Sequence, residues 1–253
     1  MNVNDVFAPQ RYPQENYIER GEQIDHSQVN SSLQAGGIQI VGPSDSGRSS
    51  LVEHHLENHH PLVVDGQQVT TAGDIFSHLL NSLITKPVPE RHELTETDLQ
   101  SITRSEKLVR GAVKDRIETG QYALVFDDFD EMPTDVREYV ADWVRPYAEQ
   151  EISIAIVGKS ENEHEVSHSH SKLCDQLDTI RVPEWNKKEL MQIGKLGFEA
   201  VETPMDEPTL ESLADLAEGS PTRMHELCLS TFIDIATERE YDVGQEYLPS
   251  GVK

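Results

Sequence analysis

Short apolar runs alternate with amphipathic stretches along the chain as far as residue 183. The runs are rich in Ile, Val and Leu and are bounded by Gly, Pro or Asp, which predicts strands over residues 37–42, 62–65, 122–126, 152–157 and 178–182. Between them the apolar positions recur with the period of a helix, which predicts helices over residues 48–57, 74–83, 98–119 and 134–147. Strands that alternate with helices favour an α/β fold with a parallel sheet.

The pattern changes after Pro183, because only helical spacing follows it, over residues 187–199, 208–218 and 221–239. We therefore predict an α/β domain over residues 1–184 and a small all-helical domain with a C-terminal tail over residues 185–253.

Charge and hydropathy exclude several classes of protein. The chain of 253 residues has 21 Lys+Arg against 46 Asp+Glu, a formal charge of -25, so direct nucleic-acid binding is not expected without a partner. Mean hydropathy is -0.54, and no apolar run approaches the ~18 residues that cross a bilayer. The N-terminus lacks the pattern of a signal peptide and the two cysteines form no framework, so we expect a cytoplasmic protein with no membrane contact. Acidic residues spread over the whole chain favour a halophilic source, since molar salt screens their repulsion.

A glycine-rich loop follows the first predicted strand directly. It fits G-x-x-x-x-G-K-[ST] except that arginine replaces the lysine. The backbone N–H groups of such a loop bind phosphate, and the hydroxyl of Ser49 is a candidate Mg²⁺ ligand. The candidate binding residues are Gly42, Pro43, Ser44, Asp45, Ser46, Gly47, Arg48, Ser49 and Ser50. The alternative is a plain strand-to-helix turn.

Acidic residues follow the third predicted strand, in the run LVFDDFDE. Ligands of parallel sheets bind at the carboxyl ends of strands, and carboxylates there suit Mg²⁺. Asp127 is the candidate metal ligand, and Asp130 or Glu131 is the candidate for orienting or deprotonating a water. The alternative is a strand cap with a solvated acidic turn.

These motifs, taken in order, resemble those of the AAA+ and STAND P-loop ATPases, especially archaeal replication-initiator-like and transposition-helper ATPases. GPSDSGRSS resembles Walker A in a degenerate form, and LVFDDFDE resembles Walker B. The other matches are an N-terminal box (Phe7-Ala8-Pro9 and Tyr17-Ile18-Glu19-Arg20), a sensor-1 position (Lys159 and Ser160) and a sensor-2 element (Gly219–Arg223). The resemblance implies a three-layer αβα P-loop core followed by a helical lid, ATP and Mg²⁺ as cofactors, and nucleotide contacts from Arg20 and Arg223.

Two departures from the family pattern bear on nucleotide binding. Arg48 brings a larger, planar group than lysine, and Asp45 places a negative charge where the family has a small residue. At ~5 Å from a phosphate charge Asp45 would cost on the order of 3 kcal/mol, and less if it faces solvent or pairs with Arg48. Lys172 and Arg181 lack the flanks of an arginine finger, so hydrolysis is expected to be slow, which suits a switch.

Three functions stay open at this stage. The first is an ATP-binding regulatory or helper ATPase that acts as a nucleotide-dependent switch on an unidentified protein partner, with self-association possible. The second is a non-catalytic pseudo-ATPase scaffold. The third is an accessory factor in DNA replication or transposition, for which a basic row on one predicted helix would have to contact DNA: Arg104, Lys107, Arg110, Lys114 and Arg116. His55 and His59, four residues apart, could share a metal, but a solvated surface is the preferred interpretation.

Overall fold

A computed structural model gives the fold of the chain. It describes residues 3–9, 12–13, 15–57, 59–85, 110–111, 113–114, 117, 122–159, 173 and 176–246. Most of the helix predicted over residues 98–119 and the loop predicted over residues 159–171 lie outside this part of the chain, as do Arg104, Lys107, Arg116, Ser160 and Lys172.

The described elements follow the predicted order. The strands are β1 Ile38–Gly42, β2 Leu62–Asp65, β3 Leu124–Asp127, β4 Ile154–Lys159 and β5 Asp178–Arg181. The helices are α1 Val3–Val6, α2 His26–Gln34, α3 Arg48–His55, α4 Ala72–Thr85, α5 Thr134–Ala148, α6 Lys187–Ala200, α7 Glu207–Ala217 and α8 Pro221–Glu246. Helix α2 was not predicted, although Asp25 caps it by accepting the N–H groups of Ser27 and Gln28.

Contacts divide the chain into two compact units. The α/β unit comprises Gly21–Ser44 and Arg48–Pro183, and the helical unit comprises Met1–Arg20, Asp45–Gly47 and the segment from Glu184 onward. The contacts thus place the N-terminal segment and the tip of the glycine-rich loop with the helices. The domain boundary predicted from the sequence, between residues 184 and 185, stays a prediction.

The α/β unit is built on a parallel sheet with the strand order β2-β3-β4-β1-β5. Every residue of β1 is buried, as expected of a strand covered on both faces. One face packs on α4 and α5 through residues such as Phe76, Phe126 and Val140, and the other packs on α2 and α3 through Leu33, Val125 and Leu51. The three-layer αβα core is therefore confirmed.

The order of the strands marks one end of the sheet as a binding edge. From β1 the chain crosses to β2 at the far edge, whereas from β4 it passes to β5 on the other side of β1. Neighbouring strands whose connections leave in opposite directions open a crevice at their carboxyl ends, where α/β proteins bind ligands. Here that crevice lies beyond Gly42 of β1 and Lys159 of β4.

The helical unit packs α6, α7 and α8 around Phe198, Leu210 and Met224. Phe7, just after α1, is fully buried in this unit, with its ring centroid 5.1 Å from that of Phe198. The first part of the N-terminal box is therefore a packing element of this unit. In the part of the chain described, none of the helices has both the length and the apolar character needed to cross a membrane.

The carboxylate of Asp74 stabilises the start of α4. It accepts the backbone N–H groups of Thr70 at 3.0 Å and Thr71 at 2.7 Å, and both hydroxyls. These hydrogen bonds lower the pKa of Asp74 to about 2. Since the folded pKa lies below the unfolded one, the stabilisation is complete above the ordinary pKa of about 4 and is lost as the pH falls towards 2.

We therefore expect Asp74→Ala to lower the free energy of unfolding by about 1 kcal/mol at pH 7. The loss should shrink as urea unfolding is repeated from pH 5 towards pH 2.5. Asp135→Ala, in the first turn of α5, is the control because Asp135 makes no side-chain hydrogen bond to another described residue. An Asp74 effect that does not change with pH would refute this explanation.

Candidate nucleotide site

The glycine-rich loop joins the end of β1 to the start of α3. Its backbone turns through two left-handed residues, Asp45 with φ 56° and Gly47 with φ 87°. Aspartate tolerates this conformation better than most residues, and glycine adopts it freely. The predicted strand–loop–helix arrangement is therefore present, with Arg48 as the first residue of the helix.

Two buried polar atoms of the loop lack a partner. Ser46 is 2% exposed and Arg48 is 7% exposed, and neither Ser46 Oγ nor Arg48 Nη1 has a hydrogen-bond partner among the described residues. A buried guanidinium N–H without an acceptor is costly, and so is a buried hydroxyl. A phosphate oxygen is an anionic acceptor for such donors, so each of these side chains is by itself a suitable donor to a phosphate.

Asp127, Ser49 and Arg48 come together at the carboxyl end of the sheet. The Ser49 hydroxyl is close enough to the Asp127 carboxylate to lower its pKa. The carboxylate oxygen Oδ1 of Asp127 accepts the N–H of Asp128 at 3.0 Å. Burial raises the pKa of Asp127. The interactions with Ser49 and Asp128 and the nearby charge of Arg48 lower this pKa, but they offset only part of the rise. A divalent cation would favour the charged form of this carboxylate. A hydroxyl and a carboxylate on adjacent elements are suitable ligands for Mg²⁺, so the predicted metal ligands lie side by side.

Asp130 and Glu131 both bind the end of β4, and they do so differently. Asp130 Oδ1 accepts the backbone N–H of Lys159 at 2.8 Å, whereas Glu131 Oε1 is 2.7 Å from Lys159 Nζ. The Glu131 side chain is 44% exposed and the Lys159 side chain 38%. The hydrogen bond from Lys159 and its charge hold the pKa of Glu131 below the ordinary value. Asp130 therefore has a structural role at this edge, and Glu131 is the better placed of the two to reach a water.

The other loop residues are placed as follows. Gly42 is buried at the end of β1, Pro43 and Ser50 are half-buried, and Ser44 and Asp45 are exposed. Because Asp45 is exposed, solvent reduces its repulsion of a bound phosphate, which is the less costly of the situations considered for this residue.

Arg20 and Arg223 belong to the helical unit. The Arg20 side chain is 3% exposed and pairs with Glu189, at 3.1 Å from Nε and 3.2 Å from Nη2. It also donates to the Glu184 carbonyl at 2.8 Å. Arg223 is half-exposed and pairs with Glu218 at 3.0 Å. The nucleotide contacts predicted for Arg20 and Arg223 stay predictions. The observed contacts of Arg20 with Glu189 and Glu184 support a structural role for this arginine.

Sequence reasoning missed two residues next to the predicted ones. Nothing in the sequence pattern indicates a role for Trp185 at the loop, yet its indole N–H donates to the Ser46 carbonyl at 2.8 Å. The resemblance places Lys159 at the sensor-1 position, but no sequence signal indicates that it binds both Asp130 and Glu131. His55 pairs with His26 at 2.9 Å rather than with His59. No three His, Cys, Asp or Glu residues in the described ranges are grouped to hold a metal.

The sequence matches no protein-family model, and it matches no curated protein. Solved structures resemble the chain clearly. A Walker-type ATPase of Pyrococcus abyssi, PABY2304, superposes with a TM-score of 0.59 at 12% identity over 96% of this chain and 80% of that one. Cdc6p of Pyrobaculum aerophilum gives 0.60 at 15% identity over 96% and 66%. The RuvB Holliday junction branch migration motor of Thermotoga maritima gives 0.51 at 15% identity over 84% and 63%.

The chain therefore shares the fold of solved AAA+ P-loop ATPases such as Cdc6/ORC1-like proteins and RuvB, and the predicted resemblance to AAA+ ATPases is confirmed at the level of the fold. The degenerate form of Walker A stays a prediction. It spans less than two thirds of the length of the Cdc6 and RuvB chains.

Proposed function

We propose that the protein is an ATP-binding, AAA+/STAND-like regulatory or helper ATPase whose nucleotide state acts as a switch. The observation that carries the proposal is the proximity of Ser49 and Arg48 to Asp127. Arg48 is buried, and its Nη1 has no hydrogen-bond partner among the described residues. The likeness to Cdc6 and RuvB supports an ATPase-type function.

The chain's own residues have distinct parts in this function. The backbone N–H groups of the loop and Arg48 would bind the phosphates, and Ser49 with Asp127 would hold Mg²⁺. Bound Mg²⁺ supplies charge stabilisation at the phosphates during their hydrolysis. Glu131 would orient the attacking water, but Lys159 holds its carboxylate. A base that is paired and of lowered pKa is a weak one, which supports slow hydrolysis.

Lys159→Met should move the acid limb of the hydrolysis rate profile to higher pH. The ammonium group holds the pKa of Glu131 low, so its removal lets that pKa rise and protonates the base at a higher pH. Turnover is measured from pH 4 to pH 8, with Lys188→Met as the control because Lys188 is an exposed lysine of α6. An acid limb that stays in place would show that Glu131 is not the base.

A non-catalytic scaffold is the second candidate function. Two observations favour it: the structural use of Asp130 and the pairing of Glu131. In either case we propose that the protein acts through a protein partner.

A titration of fluorescent ATP analogue with Mg²⁺, in molar KCl, separates the two candidates. The wild type is compared with the Arg48→Lys, Asp45→Gly double variant. The ATPase proposal predicts micromolar binding by both proteins, since Asp45 is exposed. Binding by the double variant alone would support the scaffold instead.

A further inference from the structure

Trp185 connects the tip of the glycine-rich loop to the first turn of α6. Its indole N–H donates to the carbonyl oxygen of Ser46 at 2.8 Å. The guanidinium carbon of Arg20 lies 4.5 Å from the centroid of the indole ring, within the range of a cation–π contact. These residues all belong to the helical unit.

The hydrogen bond to Ser46 sets the direction of a neighbouring N–H group. A peptide bond is planar and trans, so the carbonyl of Ser46 and the N–H of Gly47 point in opposite directions. Because the carbonyl faces Trp185, the Gly47 N–H faces away from it. A phosphate-binding loop requires its N–H groups, and not its carbonyls, to face the anion.

Because residue 47 is a glycine, the Ser46–Gly47 peptide can rotate easily, and the direction of the Gly47 N–H is then not maintained. Gly47 has φ 87°, a conformation that glycine exchanges for others at little cost. A rotation of the Ser46–Gly47 peptide would exchange the directions of its carbonyl and its N–H, and the carbonyl would then no longer face Trp185. The hydrogen bond from Trp185 selects one of the two orientations.

The indole ring is in turn held by a partly buried ion pair. Arg20 stacks on it and binds both carboxylate oxygens of Glu189. Glu189 also completes a capping box with Asn186, since Glu189 Oε2 accepts the N–H of Asn186 and Asn186 Oδ1 accepts that of Glu189. One carboxylate therefore links the start of α6 to the residue that supports Trp185.

We propose that Trp185 is a positioning residue that orients the Ser46–Gly47 peptide for phosphate binding and transmits the state of the loop to the start of α6. This inference rests on the proposed nucleotide binding. Trp185 does not itself need to contact the nucleotide.

Trp185→Phe tests the positioning role, because phenylalanine keeps a ring for Arg20 to stack on but lacks the N–H donor. We expect the dissociation constant of the fluorescent ATP analogue to rise by about 3- to 10-fold, the effect of one hydrogen bond. Trp143→Phe is the control, since Trp143 packs against the core of the α/β unit. Thermal unfolding of each variant reports any general loss of stability.

The control variant also serves as a reporter, because the chain has two tryptophans and Trp143→Phe leaves only Trp185. Its emission should change on addition of Mg²⁺–ATP, with the same midpoint as binding of the analogue. If Trp185→Phe binds the analogue with wild-type affinity, the proposal is overturned and the proposed function stays intact. The same holds if the emission of Trp143→Phe does not change when nucleotide binds. If Trp185→Phe does not fold, the emission result decides alone. Absence of analogue binding by the wild type would refute the proposed function, and this inference with it.

Discussion

Asp127→Asn is expected to weaken Mg²⁺-dependent nucleotide binding by about a hundredfold, since it removes the charged ligand of a cation worth several kcal/mol to the site. The amide keeps the shape of the side chain, and its oxygen can still accept the N–H of Asp128, so folding should be preserved. The measurement is analogue affinity with Mg²⁺ and with EDTA. The variant should bind equally in both, whereas the wild type should bind much more tightly with Mg²⁺.

Asp65→Asn is a closely matched control for this result. Asp65 ends β2 at the position that pairs with Asp127 of β3, and its carboxylate accepts the N–H of Gln67. Asp65 has the same place in its strand, but its carboxylate hydrogen-bonds to Gln67 and Gln68. The affinity of the Asp65→Asn variant for the analogue should therefore equal that of the wild type. An equal loss in both variants would mean that general electrostatics, and not a metal site, governs binding.

Gly66→Ala is expected to lower the free energy of unfolding by about 3 kcal/mol, as overpacking against rigid backbone does. A Cβ atom at Gly66 would overlap the carbonyl oxygen of Asp128 and lie 2.9 Å from that of Asp127. The end of β2 must therefore approach the end of β3 without a side chain. Urea unfolding measures the loss.

Gly73→Ala provides the control for this substitution. A Cβ at Gly73 would meet only the Thr71 hydroxyl, at 3.6 Å, and Gly73 lies within α4, where alanine is the better helix former. This variant should be as stable as the wild type or more stable. If Gly66→Ala is also harmless, the backbone at the end of β3 is free to move, and the fixed position of Asp127 is in doubt.

Strand positions could be predicted because each buried strand is a short apolar run with clear ends. The order of the motifs then placed Ser49 and Asp127 at the same edge of a parallel sheet, where the structure has them. The failures have physical causes. Helix α2 has a polar sequence, HSQVNSSLQ, with two apolar residues, and its periodicity is too weak to detect.

The contacts made by Arg20 and Lys159 could not be predicted because they depend on distant residues. Arg20 meets Glu189, 169 positions along the chain, and Lys159 meets Glu131, 28 positions earlier. Periodicity and spacing carry no information on such pairs. The resemblance suggested a nucleotide contact for Arg20, whereas its observed partners include a carboxylate, a backbone carbonyl and an indole of its own unit.

Isothermal titration of the wild-type protein with ATP, in the presence and absence of Mg²⁺, tests the central claim most directly. The account predicts one nucleotide per chain, bound with micromolar affinity when Mg²⁺ is present and much more weakly when it is absent. No binding at millimolar ATP, or binding that is indifferent to Mg²⁺, would contradict the assignment of the loop and Asp127 as a Mg²⁺–nucleotide site.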